Sequence, residues 1–283
     1  MAFGKKKKVE SSVAVTQQNV STLASQALAR MRNTQVNLPM RIVGTSPLLM
    51  HRFGEKAVIE MLSSMVGNKL PRGNKDLTAE YEASWYRNEK GQLALPLRLI
   101  KACIIEGAIS TDGVASKAEL KRGLRVCGNT ALIRTADNAP MRLSRDEHMD
   151  IRLVRNNGGS PDVRARALIP AGYHMDVVLQ FSPAMLSIDA VVSAFSAAGA
   201  TIGLCDFRPA RGGECGTFEI QPLSETDVPR ILKESIVPEE GFTIPEQLLT
   251  AFNSIPEDKL TDPARKVKSL IKNGKNVLES EAE

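Results

Sequence analysis

The stretch that most limits the fold is 173–222. Tyr173–Ser182 alternates, placing Met175, Val177, Leu179 and Phe181 on one side of a strand. Ser187–Ala198 carries apolar residues at helical spacing, with Ser187 or Asp189 near its cap. Gly216–Pro222 reads as a closing strand. Such a strand–helix–strand unit buries its helix only if a second unit completes the sheet. The segment 38–66 supplies one candidate. Leu38–Ser46 reads as a strand, and over 54–66 Ala57, Ile59, Met61, Leu62 and Met65 recur at roughly helical spacing before Gly67. Two units in one antiparallel sheet predict an α+β fold with a ferredoxin-like (RRM-like) core.

The remaining segments read as additions to that core. Residues 67–94 are loop-like and charged, with a brief helix at Glu80–Tyr86 and a turn at Asn88–Gln92. Leu95–Ser110 predicts a helix opened by Pro96, with Leu97, Ile100, Ile104 and Ala108 on one face and Arg98 and Lys101 off it. Short β-like runs follow at Leu124–Cys127, Ala131–Arg134 and Ile151–Arg155. The expected organisation is a flexible basic and polar arm over 1–35, a core over 36–223 with β-rich insertions at about 67–94 and 121–170, and an acidic appendage over 224–283. Short helices are expected in the appendage at 245–252 and 263–278. No short-period repeat is present, which excludes a solenoid.

Charge narrows the class of partner. The chain of 283 residues has a net charge of +5. Residues 224–283 hold 8 Lys/Arg against 12 Asp/Glu, so the excess of positive charge lies in the first 223 residues. A basic body with an acidic tail suits a polyanion. Lys5 to Lys8 add a compact positive run to the arm. Aromatic residues are few, with one Trp, three Tyr and eight Phe, which argues against a broad base-stacking platform.

Several chemistries lack their residues. Cys103, Cys127, Cys205 and Cys215 show no Cys-x-x-Cys spacing, and only three histidines are available to assist them, so no zinc site is expected. No metal and no cofactor are expected. The phosphate-binding loop of P-loop enzymes and the Gly-x-Ser-x-Gly elbow are both absent. The first residues lack the apolar run of a signal peptide, and no window approaches about 18 apolar residues, so the expected location is the cytoplasm.

The richest candidate site is Asp206-Phe-Arg-Pro-Ala-Arg-Gly-Gly-Glu-Cys-Gly. Arg208 and Arg211 offer forked donors, and Gly212 and Gly213 allow close approach of backbone to a phosphate. Asp206 is also placed to pair with Arg208. A second set brackets the Asn156–Ser160 loop. Ile151, Leu153 and Arg155 share one strand face there, Arg152 and Val154 the other, and Arg164 and Arg166 lie on a common face. A loop with basic roots suits a finger over a nucleic-acid strand. Tyr173 is the nearby ring for stacking, with Trp85 and Tyr86 as alternatives. Lys101 and Arg52 are further phosphate contacts. His51 beside Arg52 or Lys101 holds the acid–base and cationic groups that phosphodiester cleavage needs. His148, Asp146, Glu147 and Asp150 read as a surface cluster without a partner carboxylate set.

Three parts of the chain resemble the RAMP family, the ferredoxin-like class that includes CRISPR backbone subunits of the Cas7 kind. Leu95-Pro-Leu-Arg-Leu-Ile-Lys-Ala-Cys is similar to its helix with a lysine after the first half. Ala198-Gly-Ala-Thr-Ile-Gly resembles the end of its second helix. Arg208 to Ile220 resembles its C-terminal glycine-rich loop and last strand. The same order of Ile-Gly, Arg-Pro, Gly-Gly and Gly-x-Phe is similar to uncharacterised bacteriophage proteins. The resemblance spans about 38–223 and implies a single-strand nucleic-acid binder that lines up along its ligand as an oligomer. Some RAMP-type ribonucleases use a histidine in about the region of His51. The expected function is therefore non-enzymatic binding of single-stranded RNA or DNA by a protein of a phage or mobile element. The alternatives are metal-independent RNA cleavage through His51, and an assembly role without nucleic acid, within a host or phage protein complex.

Overall fold

A computed structural model describes residues 22, 25, 35–52, 54–65, 75–108, 115–155, 161–241 and 246–255. The Lys5–Lys8 run, Gly67, the Asn156–Ser160 loop and the helix expected at 263–278 lie outside the described residues. The strands are β1 Val36–Gly44, β2 Leu48–Leu49, β3 Ala94–Pro96, β4 Leu124–Val126, β5 Thr130–Leu132, β6 Met149–Arg155, β7 Pro161–Ile169, β8 His174–Phe181 and β9 Phe218–Pro222. The helices are α1 Glu55–Met65, α2 Leu77–Ala83, α3 Leu97–Gly107, α4 Lys117–Gly123, α5 Arg145–His148, α6 Ile188–Ala197, α7 Val228–Ser235 and α8 Glu246–Ser254.

The central sheet runs β4-β8-β1-β9, with every neighbouring pair antiparallel. β1, α3 and β4 form one strand–helix–strand unit, and β8, α6 and β9 form the other. The two parallel strands of each unit enclose a strand of the other. This is the ferredoxin-like α+β arrangement expected from the sequence. Met40 and Ile42 of β1 join Met175, Val177, Leu179 and Phe181 of β8 in the core. Phe195 of α6 meets Phe218 of β9 edge to face, centroids 5.7 Å apart. The Ser187 side chain caps α6 by accepting from the Ala190 N–H.

The helix of the first unit differs from expectation. It is α3, and the helix at 54–66 is set elsewhere. Leu97, Ile100, Cys103 and Ile104 bury the face of α3, and Gly107 brings it against α6. A Cβ at Gly107 would lie 2.3 Å from the Ala194 carbonyl oxygen, so the crossing needs a residue without a side chain there. Helix α1 packs on α8 in the appendage. Its spacing announces a buried face but does not name the surface that buries it. Likewise Leu124–Val126, inside the expected insertion, is the edge strand of the central sheet, with Leu124 opposite Phe181.

The opposite face of the sheet carries a charged tie. Asp176 is buried and stands opposite Arg41 in register. Its carboxylate accepts from Arg41 at 2.7 and 3.0 Å and from Arg230 of α7 at 3.0 Å. Beyond the sheet, β6 and β7 form an antiparallel hairpin. β7 continues into pairing with β2, and Leu49 of β2 bridges onward to Asp206. The hairpin is therefore joined through two residues of β2 to the start of the glycine-rich loop.

Candidate nucleic-acid interface

The register of the hairpin sets what its faces hold. Arg152 lies opposite Arg164, Asp150 opposite Arg166, and Val154 opposite Asp162. Side chains two apart share a face, so all six lie on one side, as the alternation predicts. Two arginines directly opposite each other repel. Each is held by an aspartate on its own strand. The Nε of Arg152 donates to Asp150 Oδ1 at 2.7 Å, and the Nε of Arg164 donates to Asp162 Oδ2 at 3.3 Å. Lys75 adds a third cation, 2.7 Å from Asp162 Oδ1. The hydrogen bond to Asp150 raises the Arg152 pKa, and the bond from Lys75 lowers that of Asp162.

Arg166 differs from its neighbours, being 3% exposed. Its Nη1 donates to Asp206 Oδ2, while Nε and Nη2 have no hydrogen-bond partner among the described residues. Asp206 also receives His51, whose Nδ1 lies 3.3 Å from the same oxygen. The Phe207 N–H donates to Asp206 Oδ1 at 2.9 Å. The His51 hydrogen bond, the Phe207 N–H and the Arg166 charge hold this carboxyl well below the usual carboxylate range, against its partial burial. Asp206 therefore pairs with Arg166 and His51, and the expected pairing with Arg208 does not form. The reason is topological: Leu49 sets Asp206 beside the hairpin, and the Arg208 guanidinium turns inward to the Gly203 carbonyl at 3.3 Å.

The glycine-rich loop closes on itself. Pro209–Arg211 makes a short 3₁₀ turn, and Gly212 ends it at φ +75°. Gly213 packs on the backbone of Phe207, where a Cβ would sit 1.9 Å from the Phe207 carbonyl oxygen. The glycine pair thus serves the loop's own closure. Arg211 is exposed, and no ion pair or hydrogen bond holds its side chain among the described residues. The Arg152 guanidinium lies 4.8 Å from the centroid of the Phe207 ring, which joins the hairpin to the loop.

The structure thus brings together Arg152, Arg164, Arg166, His51, Arg211, Gly212 and Gly213. Arg155 ends β6 opposite Pro161. Three expected contacts lie apart from this group. Arg52 is 8% exposed, donates to the Glu240 carbonyl and lies 3.6 Å from carboxylate oxygens of Glu239 and Glu240. It anchors the appendage. Tyr173 is 1% exposed and belongs to the core, its ring covering Gly44, where a Cβ would be 2.1 Å away. It cannot stack on a base. Lys101 is half-buried on α3, which packs against α6, β4, α4 and the helical turn at Ala198–Ile202 rather than against the hairpin. Trp85 stands edge to face on Tyr81, centroids 5.2 Å apart, beneath Arg87 at 4.2 Å, and the Tyr86 hydroxyl donates to the His51 carbonyl.

The sequence reading missed Phe207 and Lys75. Phe207 carried a signal, since an aromatic residue between Asp and Arg in a glycine-rich loop has no apolar neighbours to hide it. Lys75 carried none, because only the packing of α2 on β7 brings it to the hairpin. Among the described residues no group of His, Cys, Asp and Glu is arranged to hold a metal, and no helix is long and apolar enough to cross a membrane. The four cysteines are free, and burial pushes the Cys103 and Cys205 thiols up to about 12.

No family model matches the sequence, and no curated protein matches it. Among solved structures the chain is similar to one in "Cryo-EM structure of the Type III-B Cmr-beta bound to cognate target RNA", at 11% identity and a TM-score of 0.36, over 79% of each chain.

Proposed function

We propose that the protein binds single-stranded nucleic acid on the face built by the β6–β7 hairpin and the glycine-rich loop. One observation carries the reading: Arg152 and Arg164 stand opposite each other on one hairpin face, and Arg152 docks on the loop that exposes Arg211. Forked donors paired across a two-stranded ribbon, with a third on the adjoining loop, suit the phosphates of a strand. Asp150 and Asp162 hold these guanidinium groups in place and oppose part of their charge. Phosphates therefore compete with carboxylates, and the affinity is salt-sensitive.

The test is a titration of a labelled single-stranded oligonucleotide at several salt concentrations. Each phosphate neutralised contributes about 0.7 to the slope of log K against log salt for a single strand. The triple variant Arg152→Ala, Arg164→Ala, Arg211→Ala should lose about 2 units of that slope. A slope equal to that of the parent would remove this face from the binding site.

Assembly along the strand fits a further feature. β6 is the outer strand of the three-stranded sheet β2-β7-β6, and Ile151, Leu153 and Val163 are exposed on the hairpin face opposite the arginines. Light scattering on the same complexes should show mass rising with strand length. One protein per strand at every length would exclude assembly.

The His51–Asp206 contact favours a second reading. A carboxylate at Nδ1 orients an imidazole for proton transfer at its other nitrogen. Cleavage of single-stranded RNA in the presence of a chelator, lost in His51→Ala, would establish it. Intact RNA after prolonged incubation with the parent would end it.

A further inference from the structure

Phe207 exposes 40% of its surface, whereas Tyr81, Tyr173, Phe181, Phe195 and Phe252 are fully buried. Its backbone sits at φ +51°, a left-handed conformation that bulky residues rarely adopt. Such conformations persist only where the surroundings enforce them, and they gather at functional sites. Here the enforcement is visible. The Phe207 N–H is held by Asp206 Oδ1 at 2.9 Å, its carbonyl accepts from Cys215 at 2.8 Å, and Gly213 closes against that carbonyl. The loop thus fixes Phe207, and what it fixes is an apolar ring left 40% exposed beside the Arg152 guanidinium. Burial of the ring is what the hydrophobic effect would favour, so the packing of the loop does not explain the choice of phenylalanine. The ring lies 4.8 Å from the Arg152 guanidinium, within the arginine face.

We propose that Phe207 is a stacking platform for an unpaired nucleobase, with Arg152 and Arg211 holding the flanking phosphates. This rests on the reading of the hairpin face as a nucleic-acid interface and adds its selectivity. A base can reach the ring only when it is unstacked and unpaired, so the site takes single strands and excludes duplex. Every base has a π-face, so the contact is tolerant of sequence. Phe207 supplies affinity that salt does not screen, and the arginines supply the part that it does.

The experiment compares the full-length parent with Phe207→Ala and Phe207→Trp. The probes are a labelled single-stranded homopolymer of uridine, a blunt duplex of equal length, and inorganic polyphosphate of matched charge. Alanine keeps a Cβ and hence the same backbone demand, and a thermal melt checks that the fold survives loss of the ring's contact with Arg152. Phe207→Ala should weaken binding of the single strand about tenfold, equivalent to about 1.4 kcal/mol. It should leave both the salt slope and the affinity for polyphosphate unchanged. Phe207→Trp should restore the single-strand affinity, and the parent should prefer the single strand to the duplex. If Phe207→Ala binds the strand as tightly as the parent, or loses polyphosphate to the same extent, stacking is overturned while the phosphate reading stands. If the parent binds neither strand nor polyphosphate, the interface itself is overturned, and stacking with it.

Discussion

Asp206→Ala is expected to destabilise the protein by about 2–3 kcal/mol, the scale for removing a charged hydrogen-bond partner from a buried group. The buried member is Arg166. Its side chain is 3% exposed, and Nη1 finds its partner in Asp206. Removing that carboxylate leaves a buried guanidinium without its bonded partner, with Asp150 opposite it in register. Asp206→Asn keeps an acceptor oxygen and should lose less. The double change Asp206→Ala, Arg166→Met replaces the buried charge with an apolar chain of similar length and should recover much of the loss. Urea unfolding of the three variants against the parent measures this. A midpoint for Asp206→Ala equal to that of the parent would show that Arg166 is stabilised some other way. The pH dependence has a definite sign. The folded carboxyl is held below its ordinary value, so its contribution is complete above the ordinary carboxylate range and is lost as pH falls through the lower folded value. His51 is the first cause of that depression, so in His51→Ala the acid loss should be smaller and should be complete at a higher pH.

Where a residue's environment is local, the sequence reading reached it. The alternation over Met175 to Phe181 placed four side chains in the core, because on a strand paired at both edges alternate residues share the face that α3 and α6 cover. Ser187 at the start of α6 satisfied backbone donors that every helix leaves open. The common face of Arg164 and Arg166 followed from the pleat alone. Yet the two have opposite environments, one beside Asp162 at the surface and the other buried against Asp206. That difference comes from β2, two residues long, which sets Asp206 beside β7. No periodicity can announce a two-residue strand. The same limit explains Arg52 and Tyr173. A basic residue after a strand and an aromatic residue before one both look exposed, until Glu239 and Glu240 return from the appendage to cover the first and Gly44 opens room for the second. The first ferredoxin helix went to the wrong segment because α1 and α3 are both amphipathic. Gly107, which lies inside the expected helix Leu95–Ser110 and breaks no periodicity there, is the residue that lets α3 meet α6.

The tie on the back of the sheet should behave differently from the one at the loop. Asp176→Ala is expected to destabilise by about 2 kcal/mol, the scale for losing hydrogen bonds to charged groups. Asp176 is itself the buried member, with 3% of its side chain exposed, whereas 27% of Arg41 and 40% of Arg230 remain open to water. After the substitution both guanidinium groups can hydrate, so no charge is stranded. Burial pushes the Asp176 carboxyl up, and the hydrogen bonds from Arg41 and Arg230 outweigh it, so the folded value lies below the ordinary one. Its contribution is therefore present above about pH 4 and fades in acid. The gap in stability between the parent and Asp176→Ala should be widest near neutral pH and should narrow as pH falls through that range. A gap that stays constant into acid would mean that the lost stability came from packing around the β-carbon and not from the charge. Because Arg230 belongs to α7, hydrogen exchange adds a local readout: amides of Val228–Ser235 should lose protection in Asp176→Ala ahead of those of β1 and β8. Equal loss across all three would show that the appendage and the sheet unfold as one unit, and that Asp176 serves both alike.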